Sequence, residues 1–287
     1  MTMEARTDTQ TPRATRLEDY RPPDWRIDTV ELDFELGEDA TRVRARMAIR
    51  RDHEGQAPPL VLDGQELKTL SVTIDGRMLG EGDYVVAGET LTIDGLPDDF
   101  TLETLVEIHP ETNTALDGLY KSGGNFCTQC EAEGFRRITW FLDRPDALST
   151  YRVTITAEKA RYPVLLSNGN LVESIELPGG LHRAVWHDPW PKPTYLFALV
   201  AGDLGVYEDI YTTGSGREVA CKFYVERGNE DRCAWAMAAL KNAMRWDEQV
   251  FGLEYDLDIY MIVAVSDFNM GAMENKGLNV FNDKFVL

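Results

Sequence analysis

The sequence predicts a mainly β protein: an N-terminal antiparallel β-sandwich or saddle domain, then the first part of a mixed α and β domain. Polar and apolar residues alternate with period two from Trp25 to about Gly202, as half-buried strands require. Asp-Gly pairs, which favour turns, recur between these runs. A convincing helical pattern follows only after Gly202. A length of 287 residues suits about two domains.

The composition and charge exclude several kinds of partner. Lys and Arg number 29 against 49 Asp and Glu, a formal charge of −20. Because this charge repels phosphates and anionic lipids, we expect no nucleic acid and no membrane as partners. No apolar run spans a bilayer, and no apolar core follows the arginines of the first 17 residues. With only four cysteines as well, a cytoplasmic location is expected.

The first elements follow from this alternation. Residues 1–23 are polar and end in Arg-Pro-Pro, which predicts a flexible leader before a β domain over residues 24–202. The runs 30–36 and 43–47 each predict a strand with one buried face. Acidic residues of the first strand are expected to pair with a row of arginines on the second: Arg42, Arg44 and Arg46. Asp75-Gly76 and Asp94-Gly95 are expected to close hairpins.

The later elements change character at about residue 202. Strands are predicted at 151–157, at 195–201 as a central strand or a seam between layers, and at 205–212, 218–226 and 257–265. A helix is predicted over about 230–251, with Asn229 as its N-cap and Gly252 as its end. The chain stops at Leu287 within a strand-like segment. We therefore expect residues 203–287 to form an incomplete domain with one sheet face uncovered.

Few motifs suggest chemistry directly. None of the four histidines has the spacing of a zinc site, and no H-E-x-x-H sequence occurs. Cys127 and Cys130 form a C-x-x-C pair, which is half of a zinc site or a redox pair. A redox or zinc module on these two cysteines is one alternative for the function.

Two glycine-flanked segments place carboxylates on predicted loops. Residues 129–137 read QCEAEGFRR, and residues 270–277 read MGAMENKG. Small residues in the second segment let a ligand approach the backbone closely. Either segment, taken alone, is also typical of a solvated turn.

Residues 271–275, GAMEN, resemble the G-x-M-E-N exopeptidase signature of the zinc aminopeptidase N family. The segment QCEAEGFR and the Asp-Arg-Pro-Asp sequence at 143–146 resemble the bacterial alanyl aminopeptidase branch, and the likeness extends over nearly the whole chain. The resemblance implies that residues 203–287 begin a thermolysin-like α+β catalytic domain. It identifies the chain as the N-terminal part of such an enzyme.

The resemblance also implies a role for each matching residue. Glu131 and Glu274 would bind the α-ammonium group of a peptide, and Gly271 and Ala272 would offer backbone groups to the substrate. The remaining implied substrate-binding residues are Gln129 and Met270 in the first side-chain pocket, Met273 within the motif and Asn275 as a buttress. The implied partners are peptides with a free N-terminal amine.

The resemblance implies a Zn²⁺ cofactor in the complete enzyme, held by an H-E-x-x-H helix that follows the GAMEN loop. Because that sequence is missing from these 287 residues, we expect this chain to hold no metal, to contain no catalytic residue and to be inactive alone as a peptidase. The alternative from another class is a non-catalytic β-sandwich binding or interaction module.

Overall fold

The computed structural model describes residues 16–52, 55 and 58–287. Within them the chain is mainly β, as predicted, with one α-helix. The elements in chain order are β1 (Trp25–Glu35), β2 (Thr41–Arg51), β3 (Leu60–Asp63), β4 (Lys68–Ile74), β5 (Arg77–Met78), β6 (Val85–Ala87), β7 (Thr90–Ile93), β8 (Asp99–Ile108), β9 (Gly118–Ser122), β10 (Asn125–Gln129), β11 (Ser149–Glu158), β12 (Val164–Ser167), β13 (Asn170–Glu176), β14 (Leu181–Lys192), β15 (Leu199–Gly202), β16 (Leu204–Thr212), β17 (Glu218–Glu226), α1 (Ala234–Phe251), β18 (Ile259–Val265), β19 (Ala272–Met273) and β20 (Leu278–Asn282).

The strands form four sheets. The largest has eight strands in the order β13-β14-β11-β1-β2-β8-β4-β5, and a four-stranded sheet has the order β12-β15-β10-β9. A three-stranded sheet, β3-β7-β6, and a five-stranded sheet, β16-β17-β18-β20-β19, complete the set. The eight-stranded sheet is antiparallel except where β1 runs parallel to β11.

The alternation of the first two strands is confirmed. Residues of β2 are alternately buried and exposed along most of its length, so one face lies in the core and the other carries the arginines. Arg46 pairs with Glu31 of β1 at 3.4 Å, as expected. Arg44 instead pairs with Glu103 of β8 at 2.7 Å. β2 lies between β1 and β8, so its arginines have acidic neighbours on both sides.

One of the two predicted hairpins is present. Asp75 and Gly76 have φ angles of 48° and 79° and join β4 to β5, which pair with each other. The prediction for Asp94-Gly95 is wrong, because this pair joins β7 to β8 and these strands belong to different sheets. A turn sequence determines that the chain reverses direction locally. Whether the two flanking strands pair with each other depends on where the buried face of each strand packs.

The apolar segment predicted as a strand over 195–201 is divided. Thr194–Leu196 forms a short 3-10 helix after Pro193, and only Leu199–Gly202 is extended. This strand, β15, is buried along its whole length and lies between β12 and β10. The prediction of a central strand is therefore confirmed for the second part of the segment.

The five-stranded sheet is covered on both faces at its centre, so the expected uncovered face is wrong for β18 and β20. Alternate residues pack against α1, and the intervening ones join the main core of the β sheets. The residues towards α1 are Ile262 and Ala264, and those towards the main core are Met261, Val263, Leu278 and Val280. The other sheets, whose buried residues belong to the same hydrophobic cluster, supply the second covering layer.

The helix begins later than predicted. A 3-10 helix, Glu230–Arg232, precedes α1, and the side chain of Asn229 does not cap it but accepts a hydrogen bond from Arg232 at 3.0 Å. Gly252 ends α1 as predicted, with a left-handed φ of 67°. No helix in the described parts of the chain combines the length and hydrophobicity needed to cross a bilayer.

The predicted leader is described only in part. Residues 1–15 lie outside the described residues. In the part that follows, Tyr20 donates a hydrogen bond to Asp146 at 3.0 Å, and Arg144 donates one to the carbonyl of Arg21 at 2.7 Å. The chain therefore contacts the β domain just before β1.

Candidate functional site

The two singled-out segments lie at the ends of buried strands. The first follows β10, which pairs with β15 and β9 and ends at Gln129. The second follows β18 and contains the short strand β19, whose Met273 pairs with Val280 of β20. The first segment thus extends from the four-stranded sheet, and the second from the five-stranded sheet.

A direct contact joins the two segments. The side-chain Nε2 of Gln129 lies 3.9 Å from the sulfur of Met270 and also donates to the carbonyl oxygen of Glu131 at 3.2 Å. Gln129 is 4% exposed, and its Oε1 has no hydrogen-bond partner among the described residues. Met270 is 37% exposed. The contact brings the first residues of the two segments together, with Gln129 buried and Met270 partly exposed.

Glu131 and Glu274 are both exposed. Within the described ranges neither carboxylate has an ion-pair partner, unlike Glu133, which pairs with Arg136 at 3.4 Å. An exposed carboxylate without a protein cation is able to accept hydrogen bonds from a cationic ligand.

The other residues of segment 270–277, here called the GAMEN segment, range from exposed to buried. Gly271 is exposed and its carbonyl accepts from the Asn282 amide at 3.0 Å, while Ala272 is half-buried. Met273 is fully buried in the main core. Asn275 is 1% exposed, and its Oδ1 has no hydrogen-bond partner in the described chain. The segment is therefore anchored at Met273 and Asn275, with Glu274 exposed between them.

A buried carboxylate fixes the far end of the first segment. Asp143 is 3% exposed and accepts hydrogen bonds from both the backbone amide and the Nε of Arg136, each at 3.1 Å. Its other oxygen accepts from the hydroxyl of Thr194 at 2.5 Å. In the sequence Asp143 stands out only as part of the Asp-Arg-Pro-Asp motif, because nothing in its local pattern marks it as buried.

The turn between Glu131 and Arg136 requires a glycine. A Cβ on Gly134 would lie 2.2 Å from a carboxylate oxygen of Asp117 and 2.5 Å from the carbonyl oxygen of Gln129. Only a residue without a side chain allows the loop to pack this closely against the strand that carries Gln129.

The geometry argues against a redox role for the C-x-x-C pair. Cys127 and Cys130 are fully buried free thiols. Burial raises the pKa of Cys127 to about 12 and raises that of Cys130 well above its usual value. Since the thiolate is the reactive and metal-binding form, both thiols are held in the inert form.

Zinc does not fit the described residues. In the ranges 16–52, 55 and 58–287 no group of three or more His, Cys, Asp or Glu side chains is arranged to hold a metal ion. The implied zinc therefore has no ligand set among these residues, which offer a ligand carboxylates, amides and backbone groups.

Two parts of the chain match known domain families. Residues 28–196 match the Peptidase M1 N-terminal domain, and residues 235–287 match the Peptidase family M1 domain. The chain is 58% identical to an aminopeptidase N of Caulobacter vibrioides and 55% identical to one of Escherichia coli, each over 97% of this chain and 32% of the relative.

A solved structure agrees with these matches. The crystal structure of Legionella pneumophila aminopeptidase A in complex with aspartic acid superposes with a TM-score of 0.89 at 39% identity, over 93% of this chain and 32% of that chain. The chain spans about a third of the length of the relatives it matches. Because the match to the N-terminal domain alone covers more than half of its residues, the chain belongs to peptidase family M1.

Proposed function

We propose that this chain forms the α-amine-binding part of an aminopeptidase that removes single amino acids from peptide N termini. Glu131 and Glu274 accept hydrogen bonds from the α-ammonium group. The observation that carries the proposal is the contact between Gln129 and Met270, which joins the segments that hold these two exposed carboxylates.

Recognition of a free terminus follows from electrostatics. A hydrogen bond between an ammonium and a carboxylate contributes about 1.5–3 kcal/mol, roughly twice a neutral hydrogen bond. An acylated amine has no charge and fewer donors, so it leaves the carboxylates unpaired. The pair of carboxylates therefore selects the first residue of a peptide over any internal residue.

The neighbouring residues shape the rest of this site. Gly271 and Ala272 present backbone groups to the substrate main chain, and Gln129 with Met270 lines the pocket for the first side chain. The flexible thioether of Met270 accommodates side chains of different shape. Asn275 and Met273 hold the loop from within, which their burial supports.

We assign the zinc ion and the bond-cleaving groups of such an enzyme to the part of the relatives that this chain does not match. Bound zinc would activate the attacking water. The proposed units are residues 24–202 as the N-terminal β domain and residues 203–287 as the start of the catalytic domain. The substrates are peptides with a free amine, and four free cysteines support a cytoplasmic location.

A titration of the full chain tests the proposal. NMR spectra are recorded as L-alaninamide or N-acetyl-L-alaninamide is added. We expect saturable shifts near Glu131 and Glu274 with the free amine only. Glu131→Gln and Glu274→Gln should each weaken binding by about ten- to a hundredfold, since each removes a charged acceptor.

Glu133→Gln is the matched control, because Glu133 is also exposed and lies two residues from Glu131. This variant should bind like the unaltered chain. Equal binding of the acetylated ligand would refute amine recognition. Zinc-dependent release of 4-nitroaniline from its alanyl derivative by this chain would show that the bond-cleaving groups are wrongly assigned. No observation favours the non-catalytic module.

A further inference from the structure

Asn168 lies in the turn between β12 and β13 and is 1% exposed. Its Oδ1 accepts from the backbone amide of Ala198 at 2.7 Å. Its Nδ2 donates to two carbonyl oxygens, those of Leu196 at 3.0 Å and Lys276 at 2.8 Å. The last of these carbonyls belongs to the GAMEN segment, 108 residues further along the chain.

We propose that Asn168 is a positioning residue that fixes the segment 270–277 relative to the strand carrying Gln129, and so sets the geometry of the amine-binding site. This inference rests on the proposed function for its effect on ligand binding. The placement of the segment by Asn168 is a separate claim, which is measured without a ligand.

The link from Asn168 to Gln129 passes through buried backbone. Ala198 leads directly into β15, and Leu199 of β15 donates its amide to the hydroxyl of Thr128 at 2.9 Å. Thr128 precedes Gln129 in β10, and β10 pairs with β15. Both strands are almost completely buried, so this connection has little freedom to adjust.

Close packing supports the same link. A Cβ on Gly277 would lie 3.4 Å from the backbone nitrogen of Gly169 and 2.8 Å from a methyl carbon of Leu257. The turn that contains Asn168 therefore lies against the end of the GAMEN segment. The side chain of Lys276 bonds elsewhere, to both carboxylate oxygens of Asp256 at 2.8 Å, so its backbone carbonyl makes the contact with Asn168.

Asn170 provides a matched control. It also joins the β domain to the later part of the chain, because it exchanges two hydrogen bonds of 3.0 Å with Asp258. Asp258 precedes β18 and lies outside the segment 270–277. Loss of this more exposed contact removes a second connection to the later part of the chain without releasing the carbonyl of Lys276.

The test compares Asn168→Asp, Asn168→Ser and Asn170→Ala in the full chain. Aspartate keeps an acceptor for Ala198 but sets an oxygen against the carbonyl of Lys276, and serine is too short to reach it. Hydrogen exchange reports the segment directly through the amides of Leu278 and Asn282, which donate within it to Asn275 and Gly271. Melting temperature and L-alaninamide affinity are measured in parallel.

We expect both Asn168 variants to exchange Leu278 and Asn282 about tenfold faster and to bind L-alaninamide about tenfold more weakly, as the loss of one buried donor implies. Asn170→Ala should lower the melting temperature without either effect. The inference is overturned if Asn170→Ala reproduces both effects, or if affinity is unchanged in the Asn168 variants.

Failure of both Asn168 variants to fold, with Asn170→Ala folded, would also overturn it, because Asn168 would then serve general stability. If the unaltered chain binds no amine but the Asn168 variants still exchange faster at Leu278 and Asn282, the proposed function fails. The placement of the segment by Asn168 stands in that case.

Discussion

The amide Nε2 of Gln129 lies 3.9 Å from the sulfur of Met270, across 141 residues of sequence. Gln129 ends a buried strand of the β domain, and Met270 begins the segment that carries GAMEN. The candidate site therefore depends on how the β domain packs against the five-stranded sheet. It is not a property of either part alone.

The charge of the ligand predicts a pH dependence of binding. An α-amino group has a pKa of about 7.7–8.0, so its charged fraction falls as the pH rises through that range. Affinity for L-alaninamide should fall about tenfold for each pH unit above its own pKa, as followed by NMR titration. L-lactamide, which has a hydroxyl group in place of the amine, serves as the control and should show no such dependence. A pH-independent affinity for the amine would contradict recognition of the ammonium form.

Loss of Asp143 should destabilise the chain. Asp143→Ala removes the acceptor of two Arg136 donors and leaves that guanidinium without its buried partner. We expect the free energy of unfolding in urea to fall by about 3–5 kcal/mol. Glu133→Gln removes only an exposed partner of the same arginine and should change it by less than about 1 kcal/mol. Similar losses in the two variants would mean that Asp143 does not fix this loop.

The four cysteines should be unreactive in the folded chain. All are buried free thiols, and burial raises the pKa of Cys127 to about 12. Near neutral pH, a thiol reagent such as Ellman's reagent should modify the native chain only as fast as the chain opens, and should modify all four residues at once in urea. The unfolded sample supplies the control. Rapid modification of Cys130 in the folded chain would contradict this prediction and support a redox or metal-binding role for the Cys127–Cys130 pair.

Strands could be predicted from the sequence, because a strand with one buried and one exposed face has alternating apolar and polar residues. The burial pattern of β2 is one example. Sheet partners were harder to predict. The Asp94-Gly95 turn joins two sheets, and the covering of β18 comes from the β domain, which lies far away in sequence.

In the candidate site, too, local sequence motifs could be recognised but long-range packing could not. The sequence singles out Glu131 and Glu274 because their segments resemble those of a known family, and their binding role stays a prediction. The sequence does not mark Asp143 or Asn168 as buried, because the burial of each depends on how separate segments pack together. The partner of Asn168 at Lys276 is 108 residues away, and the SNG sequence around Asn168 predicts only a turn.

A buried ion pair predicts how stability changes with pH. The side chains of Lys192 and Asp188 are 2% and 0% exposed, and the Nζ of Lys192 lies 3.0 Å from the Oδ2 of Asp188. Burial lowers the pKa of Lys192 from 10.5 to about 8, against the opposing attraction of Asp188. The ammonium group of Lys192 therefore loses its proton at lower pH in the folded chain than in the unfolded chain. Between pH 8 and 10.5 the unfolded state thus binds more protons. Stability conferred by this group must rise with pH across that interval.

The measurement is urea unfolding at several pH values between 8 and 10.5, with a double variant, Asp188→Asn and Lys192→Met, as the reference. The free energy of unfolding of the unaltered chain, minus that of the double variant, should rise by about 3 kcal/mol. The other titratable residues are the same in both proteins, so most of their contribution cancels in the difference. At pH 7, where Lys192 is still charged, Lys192→Met alone should lower the free energy of unfolding by about 3–5 kcal/mol, because it leaves the Asp188 carboxylate buried without a cation. A difference that stays flat or falls with pH would show that Lys192 keeps its ordinary pKa in the fold.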